Sequence, residues 1–535
     1  MKNSNSEVLI HNANLYVERG VFAEALLIDS AGMIAAVGTF DEVRRAAAEI
    51  GDASLKIIDA KGKTIIPGFN DAHLHLVMTG EAMQEVRLNE AQSIEEVIAL
   101  GKQYLSEYPE TSVLYGRGWN QELFADEKRL LTREDLDRIS TEIPIIFERV
   151  CAHVICGNTR AAEISGVMTS AGIEGVDIDE NGVPTGITRE NACSLYRNLR
   201  GADKAALLKS IGSASELAAS FGITTVQTCD AGGSDWKKVF DTFEDFVREK
   251  QNQCIRFSHQ CWFMNAGDLK AFVEGPRPKE TPFNRISAVK LFMDGSLGAR
   301  TARMRKPYMD EPGSRGIAAF SVAELTSMIE EADAAGFPVL VHAIGDEAIE
   351  TVLDAFDAVK KDASPRHGIV HVQITDTPLL ERFAEVGVQT VVQPVFLKSD
   401  IGVVEKRVGK ELASTSYAFG TMKKLGIPMS LSTDSPIESM NPFENLCFAL
   451  TRRVDKDSEP FNASECLDIY DAVDAYTVGS AYTENAENYK GRIRPGFVAD
   501  LAVLDRNIFA VDAEALRNTC VEATLVAGKV IYGKI

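Results

Sequence analysis

The chain has 535 residues, 45% of them apolar and 25% charged, the balance of a folded globular protein rather than a disordered one. Acidic residues outnumber basic ones 78 to 56, and a net charge of −22 argues against binding phosphate backbones or an anionic bilayer. No run approaches the ~20 apolar residues that span a membrane. The N-terminus, MKNSNSEVLIHNANLY, has no apolar stretch and shows no secretory signal. The nine cysteines are scattered without a CxxC pair, the usage of reduced, mostly buried thiols in a cytoplasmic protein. Cys151 and Cys156 flank His153, but no second Cys/His pair stands at zinc-finger spacing.

Residues 1–65 read as β: Val8–Tyr16, Ala23–Val37 and Leu55–Ile58 are apolar runs broken by Asn, Gly and Asp turn chemistry. The last 45 residues are β again, at Ala499–Leu504 and Ala523–Ile531. Two like ends around an unlike middle predict one β-sandwich domain built from residues 1–63 and 490–535. The middle alternates short apolar runs with amphipathic helical patterns. The runs are Thr64–Asn70, Thr224–Asp230, Cys254–Trp262, Ile286–Asp294, Pro338–Ala343, Gly368–Ile374, Val388–Pro394 and Pro428–Asp434. Between them lie helical patterns such as Leu207–Ala219, Ser321–Ala335, Glu347–Lys360 and Thr377–Val386. Eight such units predict an α/β fold, a parallel (β/α)8 TIM barrel over residues 64–489. The long gap after the first run is too long for a loop and predicts an inserted subdomain over residues 84–205.

The first barrel run leads into Pro67-Gly68-Phe69-Asn70-Asp71-Ala72-His73-Leu74-His75. Residues i and i+2 of a strand face the same way, so His73 and His75 can offer two imidazoles to one metal. His342 ends Val339-Leu340-Val341, His371 ends Gly368-Ile369-Val370, and Asp434 closes Met429–Thr433. Each is a polar residue finishing an apolar strand, at the barrel end where active sites sit. Imidazole and carboxylate together suit zinc, and also iron or manganese. Lys290 stands among Ala288, Val289, Leu291 and Phe292, where a buried cation is costly. It is either a lysine that pairs or snorkels, or a neutral amine that has captured CO2 as a carbamate.

In the order HxH, Lys, His, His, Asp, between β-rich ends, the chain resembles the amidohydrolase superfamily. Within it the resemblance is to the amidohydrolase 3, or YtcJ-like, branch that holds the N-substituted formamide deformylases. The stretches that carry it are PGFNDAHLH at 67–75, GRGWNQE at 116–122, VKLFMDGSLGARTA at 289–302, VHAIGDEAI at 341–349, STDSPIESMNPF at 432–443 and RPGFVADLAVLD at 494–505. The branch pattern carries Glu immediately before the histidine equivalent to His371. This chain has Val370 there, and an additional histidine at 367.

The resemblance implies a binuclear centre, with two zinc ions or other divalent ions. His73, His75 and Asp434 would hold the more buried ion, His342 and His371 the more exposed one, and carboxylated Lys290 would bridge them. It implies attack by metal-activated hydroxide on a small-molecule amide, with Asp434 as the proton shuttle. Trp119, His153, Arg189 and Glu190 in the inserted segment are candidate substrate contacts, while His11 and His259 are read as structural. The expected activity is hydrolysis of a non-peptide C–N bond in an amide, N-acyl or N-formyl amine. An aromatic-amine deaminase, a lactone or ester hydrolase, and a non-catalytic scaffold stand as alternatives. No nucleic-acid or membrane partner is expected, and a homo-oligomer is left open.

Overall fold

Eight parallel strands, each followed in space by its successor, make the central sheet. They are β1 Phe69–Leu74, β2 Ile223–Thr228, β3 Arg256–Trp262, β4 Asn284–Phe292, β5 Val339–Ala343, β6 Gly368–His371, β7 Gln389–Val392 and β8 Met429–Leu431. The computed structural model describes residues 7–50, 55–150, 153–197, 199, 204–359 and 365–535. Lys360, the last residue of one expected helix, and Cys151 lie outside these. The sheet curls into a TIM barrel. Ala72, Ala288, Leu340, Val370 and Val391, from five different strands, touch one another in a buried cluster, which only a closed interior allows. At the seam between β8 and β1 the strands are joined by Asp434 N donating to His73 O (2.9 Å) and by Thr433, whose N and Oγ1 donate to the Asp71 carboxylate at 3.1 and 2.6 Å.

The helices follow the expected pattern. Val322–Ala334 is capped by Ser321, whose hydroxyl accepts from Glu324 N while the Glu324 carboxylate accepts from Ser321 N at 2.9 Å. Asp346–Val359 and Thr377–Val386 bury one face each. Among the described residues no helix is long and apolar enough to cross a membrane.

The expected first barrel strand needs correction. Thr64–Asn70 is not one strand. Thr64–Pro67 lies in a terminal sheet, antiparallel to Leu501–Leu504, and the barrel strand begins at Phe69. The switch falls at Gly68: its N donates to Asp500 O, and Phe69 N donates to Gly222 O. A Cβ on Gly68 would come within 2.2 Å of the Thr224 side chain, so the chain can only turn here without one.

Two sheets are built from the ends of the chain. The first has four strands: Ile34–Gly38, Ala25–Ile28, Val8–His11 and Lys56–Asp59. The second has six strands in the order Lys529–Gly533, Val521–Val526, Leu501–Leu504, Thr64–Pro67, Asn14–Glu18 and Val21–Ala23. Ile10, Leu26 and Ile28 from one meet Ile65, Leu501, Val503 and Leu525 from the other in a shared core. The β reading of the first 65 residues missed a helix, Phe40–Ile50, which buries Val43 and Ala47 against Leu9 and Leu27.

The chain divides into two compact units, 1–79 with 211–535, and 80–210. The second has its own six-stranded mixed sheet, with Val154–Gly157, Ile145–Arg149 and Leu114–Trp119 at its centre. Its core contains Leu88, Ile94, Val97, Leu114, Trp119 and Phe147.

Candidate metal centre

The polar residues singled out in the barrel strands converge at their C-terminal ends. Lys290 and His342 each follow an interior residue, Ala288 and Leu340, by two positions, so strand alternation points them inward. His371 follows its interior residue, Val370, by only one, and by alternation alone would face outward. It is turned inward by the backbone, with φ +82° at His371 and +48° at Val372. Asp434, three residues past β8, has φ +56°. Non-glycine residues in the left-handed region cost on the order of 1–3 kcal/mol each and gather at functional sites.

His73 Nε2 and His75 Nε2 lie 3.5 and 3.4 Å from Asp434 Oδ1, and the three ligand atoms fall within 4.8 Å of one another. The His371 ring stands 5.7 Å from His73 and 4.4 Å from His342, centroid to centroid. The neighbours settle which nitrogen each ring offers. Gln260 donates to Ala72 O, so its Oε1 faces His73 Nδ1 at 2.6 Å and must accept from it. Gln393 donates to Ser432 Oγ and likewise accepts from His371 Nδ1 at 2.8 Å. Both rings therefore present an unprotonated Nε2. His342 is reversed, because its Nε2 donates to Gly295 O at 3.1 Å, leaving Nδ1 as the lone pair.

Burial, aided by the neighbouring Lys290 and histidines, holds His73 and His371 well below the usual histidine range. Burial also opposes a charge on His75, but the Asp434 carboxylate outweighs it and raises that histidine. Lys290 is fully buried, its Nζ has no hydrogen-bond partner, and burial lowers it against the opposing pull of Cys229 and Asp434. Asp434 Oδ1 is likewise without a hydrogen-bond partner. An amine and a carboxylate oxygen, both buried without a hydrogen bond, beside neutral imidazole nitrogens form a donor set that fits a divalent cation.

The residues expected to contact substrate lie in the 80–210 unit. Trp119 is a correction: it is completely buried in that unit's core, its Nε1 donates to Phe147 O at 3.1 Å, and an enclosed ring cannot form a substrate wall. His153 and Glu190 are exposed and paired, Nδ1 to Oε2, at 2.9 Å. Arg189 is held by Asp177. His259 is structural, its Nε2 donating to Asn284 Oδ1 and its ring packed on Phe240 and Phe243. His367 is used up between Asp333 and Val339 N. The reading overlooked Gln260, Gln393, Asp71 and Asp294. The signal was present, since Gln260 and Gln393 are polar residues in apolar strand runs, like the histidines they hold.

A parallel barrel with histidines and an acid gathered at its C-terminal end is the architecture of the metal-dependent hydrolases. The chain belongs to the amidohydrolase family, whose sequence model matches residues 56–532. It is 29% identical to YtcJ of Bacillus subtilis strain 168, over 98% of this chain and 99% of that one. It is 26% identical to the N-substituted formamide deformylase of Arthrobacter pascens, over 98% of each. Among solved structures, an uncharacterised metal-dependent hydrolase from Pyrococcus furiosus is 30% identical and superposes with a TM-score of 0.80, over 94% of this chain and all of that one. Family and neighbours together support a hydrolase that uses a divalent metal.

Proposed function

We propose that the protein hydrolyses a non-peptide C–N bond in a small amide, an N-acyl or N-formyl amine. The observation that carries the reading is a buried Lys290 without a hydrogen-bond partner beside the His73/His75/Asp434 triad at one barrel end. His73, His75 and Asp434 would hold one divalent ion, and His342 and His371 a second; zinc suits these donors. When bound, such ions supply a hydroxide at neutral pH and polarise the substrate carbonyl.

The chain's own residues do the rest. Lys290, its neutral form favoured by burial, can attack CO2 with its Nζ lone pair once deprotonated. A C–N bond forms, an N–H proton leaves to solvent, and the carbamate provides anionic oxygens where a cation would be repelled. Asp434 Oδ1 accepts the proton released by attacking water and passes it to the amide nitrogen. That nitrogen leaves only once protonated. Gln260 and Gln393 hold the His73 and His371 rings so that their lone pairs stay aimed at the centre.

The test combines metal analysis with a screen of N-formyl, N-acetyl and longer N-acyl amines. Chelator-stripped protein is expected to lose activity and to regain it with zinc. Lys290→Ala is expected to lose most activity and at least one metal per chain. Acetate or propionate added with metal should restore part of the activity. Full turnover in rigorously metal-free protein would sink the reading.

A further inference from the structure

Asp294 follows β4 by two residues and takes no part in the roles above. Its side chain is completely enclosed. Oδ1 accepts from Ile344 N at 3.0 Å and lies 3.3 Å from His342 Nε2. Oδ2 accepts from Gly345 N at 2.8 Å and from Arg303 N at 2.9 Å. The Arg303 guanidinium is turned away to Glu347, so backbone amides and one imidazole N–H surround this carboxylate. Ile344 N and Gly345 N immediately precede the helix Asp346–Val359, whose positive end favours an anion there.

Two structures therefore meet on one carboxylate. The first is His342, whose Nε2–H is held by Gly295 O and faces Asp294. The second is the long connection from Met293 to Ser321, tied to itself through Gly295 N to Thr301 O, Ile317 N to Thr301 O, and Ala319 N to Met293 O. That connection lies directly on Gly345, where a Cβ would come within 2.1 Å of Arg303 O.

We infer that Asp294 is a positioning residue for His342 and couples the 293–321 connection to the metal centre. Its charge, 3.3 Å from Nε2, favours the proton on that nitrogen, which Gly295 O accepts, and so keeps the His342 lone pair on Nδ1, while the same carboxylate pins Arg303. A disordered connection would thus loosen the second ion's ligand, and a bound ion would order the connection. This rests on the metal-centre reading of the proposed function.

The experiment uses metal-free full-length protein and Asp294→Asn, which keeps the size and removes the charge. Cobalt uptake is followed by visible absorption, zinc affinity by chelator competition, and backbone amide exchange by mass spectrometry. The expected result is affinity for one of two ions lowered about 10- to 100-fold, with faster exchange at Arg303, Ile344 and Gly345. Faster exchange with unchanged affinity means that Asp294 merely pins a loop, and overturns the inference, as does no change in either. Wild-type protein that binds no ion overturns the metal-centre reading, and this inference with it. Wild-type protein that binds two ions, with Asp294→Asn binding them equally well, overturns this inference alone. If Asp294→Asn does not fold, His342→Gln replaces it. Exchange at Arg303 should then rise in the metal-free protein, and unchanged exchange overturns the coupling.

Discussion

The two ends of the barrel each bury a lysine, Lys490 and Lys290, in opposite ways. At the N-terminal end the buried cations Arg256 and Lys490 each meet a carboxylate. Arg256, the first residue of β3, forms a two-pronged pair with Asp500 at 2.6 and 2.9 Å. Lys490 pairs with Glu484, which also accepts from Asn70 Nδ2 at 2.7 Å. At the C-terminal end Lys290 Nζ and Asp434 Oδ1 are equally enclosed and have no hydrogen-bond partner. A polar group buried without a partner costs stability. Lys290 Nζ and Asp434 Oδ1 are thus buried polar atoms that the fold itself does not hydrogen-bond, whereas Arg256 and Lys490 are held by carboxylates.

Substitutions can break that contrast. Lys490→Met strands Glu484 in the interior and is expected to destabilise by about 3–5 kcal/mol, read from the urea midpoint. The opposite end should answer differently. Lys290→Met removes a buried amine that has no hydrogen-bond partner, and the metal-free variant is expected to gain about 1–3 kcal/mol over metal-free wild type, while the metal-loaded variant loses activity. A loss like that of Lys490→Met would mean that the contact of Nζ with the Phe292 ring outweighs the cost of burying the amine.

A pH titration sharpens the contrast between satisfied and reacting histidines. Burial lowers His259 to about 4, against its hydrogen bond from Asn284's side. Between pH 6.5 and 4 the unfolded chain takes up a proton that the folded one refuses, so stability is complete above 6.5 and falls as pH drops through the window. The loss amounts to roughly 3 kcal/mol. His259→Gln, which can still donate to Asn284 but cannot titrate, should lack that component of the acid slope.

Asp434→Asn is expected to lower kcat at least ~100-fold with the protein folded; metal content is measured in the same sample. Near-normal turnover would mean that another group moves the proton. The smallest effect is expected at the exposed pair of the 80–210 unit. His153→Ala should change stability by less than about 0.5 kcal/mol, because a solvated ion pair offsets its own ordering cost. A change in KM would give that pair a role that its exposure does not require.

Much of the barrel was legible because its strands are apolar runs with polar punctuation. Thr377–Val386 coincides with its expected helix, and β5 differs by one residue from its expected run. His73, Lys290, His342, His371 and Asp434 stood out for the same reason, as polar residues where the pattern asks for apolar ones. What periodicity could not supply was everything set by a neighbour distant in sequence. The run at Thr64–Asn70 carries a Pro67-Gly68 break, but only the strands that pair on either side of it, Leu501–Leu504 and Ile223–Thr228, show that it divides between two sheets. Trp119 reads alike as a pocket wall or as core, and the packing of the inserted unit made it core. The inward turn of His371 comes from a left-handed backbone that no alternation rule anticipates. The choice of nitrogen at each histidine comes from Gln260, Gln393 and Gly295, brought there from other strands. Side-chain type is written residue by residue, but direction and protonation depend on contacts that exist only once the strands stand side by side.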